Sequence, residues 1–308
     1  MDLLVVGDAN PDVLLSGAPA VPAYGQAETL VEQGVLALGG SAAIVAHGAA
    51  RLGLEVGLAA MVGRDAAGDF VLDVLKSAGV DISACVRHES LPTALTVCLN
   101  QDGGDRAILT APGCLAAFGP EHVPAVAARH VHAASYFLQP RLAAGLPEVF
   151  RAVREQGAST SLDTNDDPSG AWSVPADLLA RCTFVLPNQA EAVALSGSAD
   201  PLPALAASGT LPVVKAGRDG CVALAGDELI SARPPVVEPV DTVGAGDSFD
   251  AGFLAGWLRE GDLRAALALG AAAGALSTRG AGGVATQPTL AEATALARDV
   301  EITSSPIA

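Results

Sequence analysis

The stretch DTVGAGDSFDAGF, residues 241–253, sets three small residues between two aspartates and then runs into an apolar pattern. Phe249, Phe253, Leu254, Trp257 and Leu258 recur at i, i+4, i+5, i+8 and i+9, with Gly261 just beyond, so the spacing predicts a helix of about four turns. Its N-terminus falls at Gly244 to Asp247. There the N–H groups of Gly244, Ala245, Gly246 and Asp247 lack intrahelical acceptors and face outward at the positive end of the helix dipole. Glycines let a ligand approach the backbone closely, and the segment reads as an anion site with a carboxylate beside it. The plainer reading is a turn followed by a helix that Asp247 merely caps. Asp241 and Thr242 just ahead, the strongly apolar helix behind and the late position in the chain favour the anion site.

Bulk composition limits the partners. The chain has 308 residues, half of them hydrophobic, which is enough for one large α/β domain. Its 34 acidic residues against 17 basic ones give a formal charge of −17. That balance repels a phosphate backbone, and no Lys/Arg-rich run offsets it, so nucleic acid is excluded as a partner. A site built of backbone N–H groups binds a small anion regardless of net charge. The opening MDLLVVGDANPD lacks a basic region and reads as a first strand, and the apolar run from Ala265 is too short for a membrane span. Five scattered cysteines with no CxxC pair read as small core residues in a reducing cytoplasm, with no membrane association.

Short apolar runs (LLVVG, VGLAAMVG, HVHAAS, ASTSLD, CTFVLPN, LPVVKAG) alternate with amphipathic stretches at Ala42–Leu52, Ala66–Ser77, Leu142–Gln156 and Ala190–Leu195. Such alternation predicts an α/β fold with a mostly parallel central sheet flanked by helices. Residues 12–38 and 91–111 break the pattern. The second reads as two strands joined through QDGGD, and together the two regions form a small β-sheet lid over the carboxyl ends of the parallel strands. No linker or repeat divides the chain, so residues 1–308 read as one domain with that lid.

A carboxylate in the first turn beside a bound phosphate points to phosphoryl transfer. Asp247 accepts the proton of an attacking hydroxyl while the N–H cluster stabilises charge on the transferred group. The helix dipole is expected to lower the pKa of Asp247; in a loose transition state, position then matters more than basicity.

DTVGAGDSF resembles the C-terminal signature of the ribokinase-like (PfkB) carbohydrate kinase family, and ALGGSAAIVAHGAARLG, residues 37–53, resembles its N-terminal signature. GDANPD, VGRDAAGD, PNQAEA, KAGRDG and RGAGGVATQP follow the family's order along nearly the whole chain. The resemblance implies a ribokinase-like fold with ATP as phosphoryl donor and Mg²⁺. It implies Asp247 as catalytic base and Gly244, Ala245 and Gly246 as the anion hole. Asn10 and Asp12 would hold acceptor hydroxyls, with Gly39, Gly40 and Ser41 lining the acceptor. Asn188, Lys215, Gly217 and Gly220 would line the nucleotide, Lys215 near a phosphate, and Glu191 would organise Mg²⁺ through water. On the residues alone, Gly39–Gly40 is equally a strand-to-helix turn, Asp12 part of a turn and Asn188 a helix cap. Asp163 and Asn165 in LDTN end a strand and are further candidates. Asp241 and the RGAGG loop resemble the monovalent-cation site of some members, which would make K⁺ an activator.

Departures from the family pattern bear on the acceptor. Ile44 stands where members commonly carry an acceptor-contacting Asn, and Ser41 where many that bind phosphorylated sugars or ribose carry Lys. Gly270 occupies the place of an adenine-contacting Asn. The leading expectation is phosphorylation of a primary hydroxyl on a small unphosphorylated sugar or sugar-like compound. A nucleoside kinase, with Ile44 packing on a base, and a catalytically silent sugar- or nucleotide-binding protein stand as alternatives. An NAD-type oxidoreductase lacks its G-x-G-x-x-G after the first strand, where GDANPD stands. A homodimer through the lid is the family default.

Overall fold

A computed structural model describes residues 1–101 and 106–307. Most of the QDGGD turn expected between the second pair of lid strands, residues 102–105, lies outside the described residues. The chain opens with β1 (Leu3–Val6), leaves the main sheet through β2 (Asn10–Ser16) and β3 (Gln33–Gly39), and returns by α1 (Ser41–Arg51). Next come β4 (Val56–Ala59), β5 (Met61–Gly63), α2 (Ala66–Ser77) and β6 (Val86–His88). A second excursion forms β7 (Leu95–Asn100) and β8 (Arg106–Ala111). The alternation resumes with β9 (His130–Ala133), α3 (Pro140–Glu155), β10 (Ser159–Leu162), α4 (Ala176–Leu179), β11 (Phe184–Val185), α5 (Gln189–Ser196), α6 (Pro201–Ala206) and β12 (Leu211–Lys215). The chain closes with β13 (Cys221–Ala225), β14 (Glu228–Arg233), α7 (Ala245–Glu260), α8 (Leu263–Ser277), α9 (Leu290–Ala297) and β15 (Glu301–Pro306).

The main sheet runs β15-β14-β13-β12-β11-β10-β9-β1-β4, parallel from β4 to β12 and antiparallel from β12 to β15. Successive side chains of β1 point to opposite faces. Leu3 and Val5 enter a core with α1, α7 and α8, while Leu4 and Val6 enter a second core with Phe118 and with Leu146 and Phe150 of α3. Helices thus cover both faces, as an all-buried parallel sheet requires. Connections leave β1 toward β4 on one side and β9 on the other, which puts a crevice at the carboxyl ends of these strands.

A second sheet, β3-β2-β7-β8, stands apart. The two regions expected to pair do so, but only 33–39 and the first residues from Asn10 to Ser16 are strand in the first; residues 17–32 form an exposed connection. Three antiparallel strands at the edge of the main sheet were not expected. β13 and β14 form a hairpin that turns at Gly226 with φ +62°, and β14 and β15 carry polar residues in place of the apolar run that marks a buried parallel strand. VGLAAMVG, read as one run, is split: β4 joins the main sheet and β5 pairs with β6.

The predicted helix over the opening stretch is α7. It is buried on nearly every side, with Ser248 to Gly256 and Leu258 inside. Phe253 and Trp257 pack edge-on against Phe184 of the sheet at ring separations of 4.9 and 5.0 Å. On its other side a Cβ on Gly252 or Gly256 would lie under 3 Å from α8, so α7 and α8 approach backbone to backbone. The start of α7 is thereby fixed at the carboxyl edge of the sheet.

Candidate active site

Gly244 caps α7 in the left-handed region (φ +69°), and a Cβ there would sit 2.7 Å from Gly283 Cα, so the RGAGG loop lies against this turn. The Ala245 N–H closes onto Thr242 O at 3.3 Å. Among the described residues no acceptor meets the N–H groups of Gly244, Gly246 or Asp247, and Ser248 makes the first intrahelical bond. The open donors are therefore three of the expected four, with Ala245 drawn into the turn. Asp241 ties the loops together: one carboxylate oxygen accepts from Val243 N–H at 3.0 Å and the other from Gly282 N–H at 2.9 Å.

Asp247 stands beside this cluster and accepts a hydrogen bond from Ser41 Oγ at 2.5 Å. Its pKa is pushed up to about 7, against the expectation from the helix dipole. Burial dominates; the Ser41 hydroxyl opposes it, while the negative charges of Asp163 and Asp8 add to it. Desolvation among other carboxylates outweighs the dipole, and Asp247 becomes a base suited to neutral pH.

The residues expected to line the acceptor converge from β2, β3 and the start of α1. A Cβ on Gly39 would fall 1.9 Å from Asp12 Oδ1, so only glycine leaves room for this carboxylate. Gly40 turns the chain into α1 with φ +83°, beside Asp8 O and Asn10 Oδ1. Asn10 Nδ2 donates to Asp12 Oδ1 at 2.9 Å and to Thr96 Oγ1 at 3.2 Å, and Thr96 meets Thr110 Oγ1 at 3.2 Å. Burial and then the neighbouring Asp8 push the Asp12 carboxyl up to about 7. Ile44 is 3% exposed, with Cδ1 against Gly283, so it packs beneath the loop and offers no face to a base. Gly270 is buried where α8 meets Phe249 and Phe253.

At the nucleotide end, Asn188 and Glu191 cap α5 reciprocally, at 3.0 Å (Asn188 Oδ1 from Glu191 N–H) and 2.8 Å (Glu191 Oε2 from Asn188 N–H). Asn188 is therefore a helix cap. Burial and the nearby Asp163 charge raise the Glu191 carboxyl to about 7. Its second oxygen makes no hydrogen bond among the described residues, and hard oxygens in so acidic a setting suit a hydrated Mg²⁺. Gly217 (φ +58°) and Gly220 (φ +86°) turn β12 into β13, and a Cβ on Gly220 would strike Ala232 O. Lys215 is not free to meet a phosphate: Nζ donates to Asp163 Oδ2 at 2.6 Å and to Asp250 Oδ2 at 3.2 Å. Asn165 turns away, with Oδ1 accepting from Ser135 N–H at 2.8 Å.

Asp8, Asp250 and Gln287 escaped the sequence reading. Asp8 caps α1 through Ala42 N–H at 3.0 Å, and its carboxyl is raised by burial. Asp250 had a signal, being a carboxylate inside the apolar stripe of α7. Gln287 had none. It is 1% exposed, donates to Ile44 O and Ser248 Oγ at 3.0 Å each, and accepts from His47 Nδ1 at 2.6 Å. The Ile44 carbonyl fixes the amide orientation, so His47 carries its proton on Nδ1.

An anion-binding helix start, a carboxylate base and a platform for hydroxyls at the carboxyl edge of a parallel sheet define a phosphoryl-transfer enzyme. Residues 2–290 match the model of the pfkB family carbohydrate kinases. An ATP-dependent ribose-1-phosphate kinase from Halopiger xanaduensis is 34% identical over 241 residues, 74% of this chain and 75% of its own. A fructokinase from Klebsiella pneumoniae is 32% identical over 92% of this chain and 95% of its own. An E. coli chain crystallised with ATP and Mg²⁺ superposes with a TM-score of 0.86 at 22% identity, over 97% of this chain and 99% of its own. The chain belongs to the pfkB family of carbohydrate kinases.

The five cysteines are free and no helix among the described residues is long and apolar enough to cross a membrane. Gln287 joins α1 to the first turn of α7, and its truncation would strand buried partners. Gln287→Leu is expected to lose about 1–3 kcal/mol of stability by chemical denaturation; an unchanged midpoint would show that the three bonds contribute nothing net.

Proposed function

We propose that this chain is an ATP- and Mg²⁺-dependent kinase that phosphorylates a primary hydroxyl of a small, unphosphorylated sugar or sugar-like compound. The observation that carries the reading is Asp247: a base held near neutral pKa, at the open N-terminus of α7, bonded to the first residue after the Gly39–Gly40 platform. Asn10 and Asp12 orient the acceptor hydroxyls. Asp247 Oδ takes the proton of the attacking hydroxyl, and the N–H groups of Gly244, Gly246 and Asp247 receive the charge that develops on the transferred group. Glu191 would hold Mg²⁺ through water, and the ion supplies neutralisation of phosphate charge when bound. The second sheet acts as a lid, since Asp12, Thr96 and Thr110 lie along its inner face.

The acceptor end holds Asp8, Asp12 and Asp247, which disfavours a second phosphate. One observation favours the opposite reading. Arg106 of β8 lies near enough to Asp12 to lower its pKa, and a cation there suits a sugar phosphate of the kind named for the ribose-1-phosphate kinase of Halopiger xanaduensis. A nucleoside acceptor loses its main support because Ile44 is buried.

On the outer face of the lid, register aligns Leu36, Val13, Val97 and Leu109 across all four strands. Leu36 is 55% and Leu109 58% exposed. A row of this kind fits a second copy of the chain, giving a homodimer through the lid.

Asp247→Asn is expected to keep ATP affinity and lose turnover by a factor of about 10²–10⁴. Because the working form is the carboxylate, wild-type kcat/KM should climb as pH rises through about 7 and level off above it. Turnover of the variant within tenfold of wild type would remove Asp247 from the mechanism.

A panel of free sugars, sugar phosphates and nucleosides, read by coupled ADP release in K⁺ and in Na⁺, is expected to favour a free sugar. Preference for a sugar 1-phosphate would transfer the assignment to the Arg106 reading, and equal rates in the two salts would dispose of K⁺ activation at Asp241. ATP binding without turnover on any acceptor would favour the silent binding protein.

Light scattering is expected to show a dimer that Leu109→Lys converts to a monomer; a monomeric wild type would rule out pairing through the lid.

A further inference from the structure

Three carboxylates converge beneath the first turn of α7. One oxygen from each of Asp163, Asp247 and Asp250 lies within 4.8 Å of the others. Oxygens gathered so closely away from bulk water repel one another unless a cation or protons stand among them. Here the cation is part of the chain. Lys215, the last residue of β12, places Nζ 2.6 Å from Asp163 Oδ2 and 3.2 and 3.3 Å from the two oxygens of Asp250. The same nitrogen lies 3.5 Å from where a Cβ on Gly246 would sit, so the ammonium backs directly onto the open N–H groups of the anion site.

We propose that Lys215 is a built-in cation of the catalytic centre: its ammonium occupies a carboxylate-lined cation site and, through Asp163 and Asp250, holds Asp247 and the Gly246 N–H in place for phosphoryl transfer. Lys215 is then a positioning residue and not a ligand of the nucleotide. Three features support this. An ammonium is a compact charge with three donors, which suits carboxylates converging from several directions, whereas a planar guanidinium suits one carboxylate in two-point contact. The residue is 9% exposed and its nitrogen already donates to two carboxylates, so its charge is directed at them and not outward at a phosphate. Charge sharing is the third: against the cost of burial, the Lys215 ammonium holds the Asp163 carboxyl below the usual carboxylate range, while burial pushes the Asp250 carboxyl well above it, so the two acids flanking the ammonium are held unequally.

The role in turnover rests on the kinase reading above; the occupancy of the cation site does not. In Lys215→Ala the side chain is gone and the three carboxylates remain, so a small exogenous cation should enter. The expected result is a kcat lowered by about 10²-fold with the ATP KM changed far less. Ammonium or methylammonium at about 50 mM should then recover turnover at least tenfold and raise the variant's melting temperature, as a ligand of the folded state does. The wild type should respond to neither. A folded Lys215→Ala with near-normal kcat, or one that is impaired yet gains neither rate nor melting temperature from the amines, overturns the proposal. Should that variant not fold, Lys215→Met with Asp250→Asn removes a cation and an acid together. It should fold with kcat still depressed, and wild-type kcat in this double variant overturns the proposal equally. An inactive wild type alongside an amine-dependent melting shift in Lys215→Ala would sink the kinase reading while leaving the cation site standing.

Discussion

The whole centre depends on where α7 begins. A helix buried on all sides has no solvent-facing freedom, and the near-contact of α7 with α8 through Gly252 and Gly256, together with the Phe184 stack beneath it, leaves one position for its first turn. That position sets unpaired N–H groups and a carboxylate at the carboxyl edge of the sheet. Neither group is at ease there without the other parts: the N–H groups lack acceptors, and the carboxylate lacks water. The site gathers groups with unmet hydrogen-bonding capacity and holds them in place with a packed core, which is how binding sites store affinity for what they bind.

Much of this was legible from residue patterns, and the reasons for success and failure are physical. The parallel strands and their covering helices are written in period and length, and Ala66–Ser77 was recovered at both ends because Asp65 caps its start and an apolar stripe marks its face. The antiparallel strands β13, β14 and β15 were missed because β14 and β15 carry mixed side chains, and the apolar β13 is short and set apart from the strand–helix alternation. In the site, Gly39–Gly40, Asp12, Asp247 and the helix start were visible because backbone requirements select residue types. Gln287 was invisible because a buried amide announces itself only through partners that are 39 and 243 positions away in the chain. The basicity of Asp247 was misjudged for a similar reason: the dipole is local and readable, whereas desolvation and the charges of Asp163 and Asp8 come from other strands.

The electrostatic character of the crevice follows from the same arrangement. Asp8, Asp12, Asp163, Asp247, Asp250 and Glu191 meet there, and the one lysine among them is already neutralised. Such a concentration of carboxylates repels anions, and a divalent cation lowers that repulsion. Asp241, which resembles a cation ligand in sequence, has both oxygens occupied by Val243 and Gly282 N–H groups, and its first task is to latch two loops.

β2 begins in the crevice and ends in the lid. Its first three residues include Asn10 and Asp12, and six residues after Asn10 the same strand is at Ser16, paired on both sides within the second sheet. A hydrogen-bonded strand is stiff over that length, so no hinge separates the second sheet from Asn10 and Asp12. Tilting the sheet must swing the Asp12 carboxylate like the short arm of a lever. A small displacement of the Asp12 carboxylate at the start of β2 is therefore amplified along the strand into a larger one at the far edge of the second sheet.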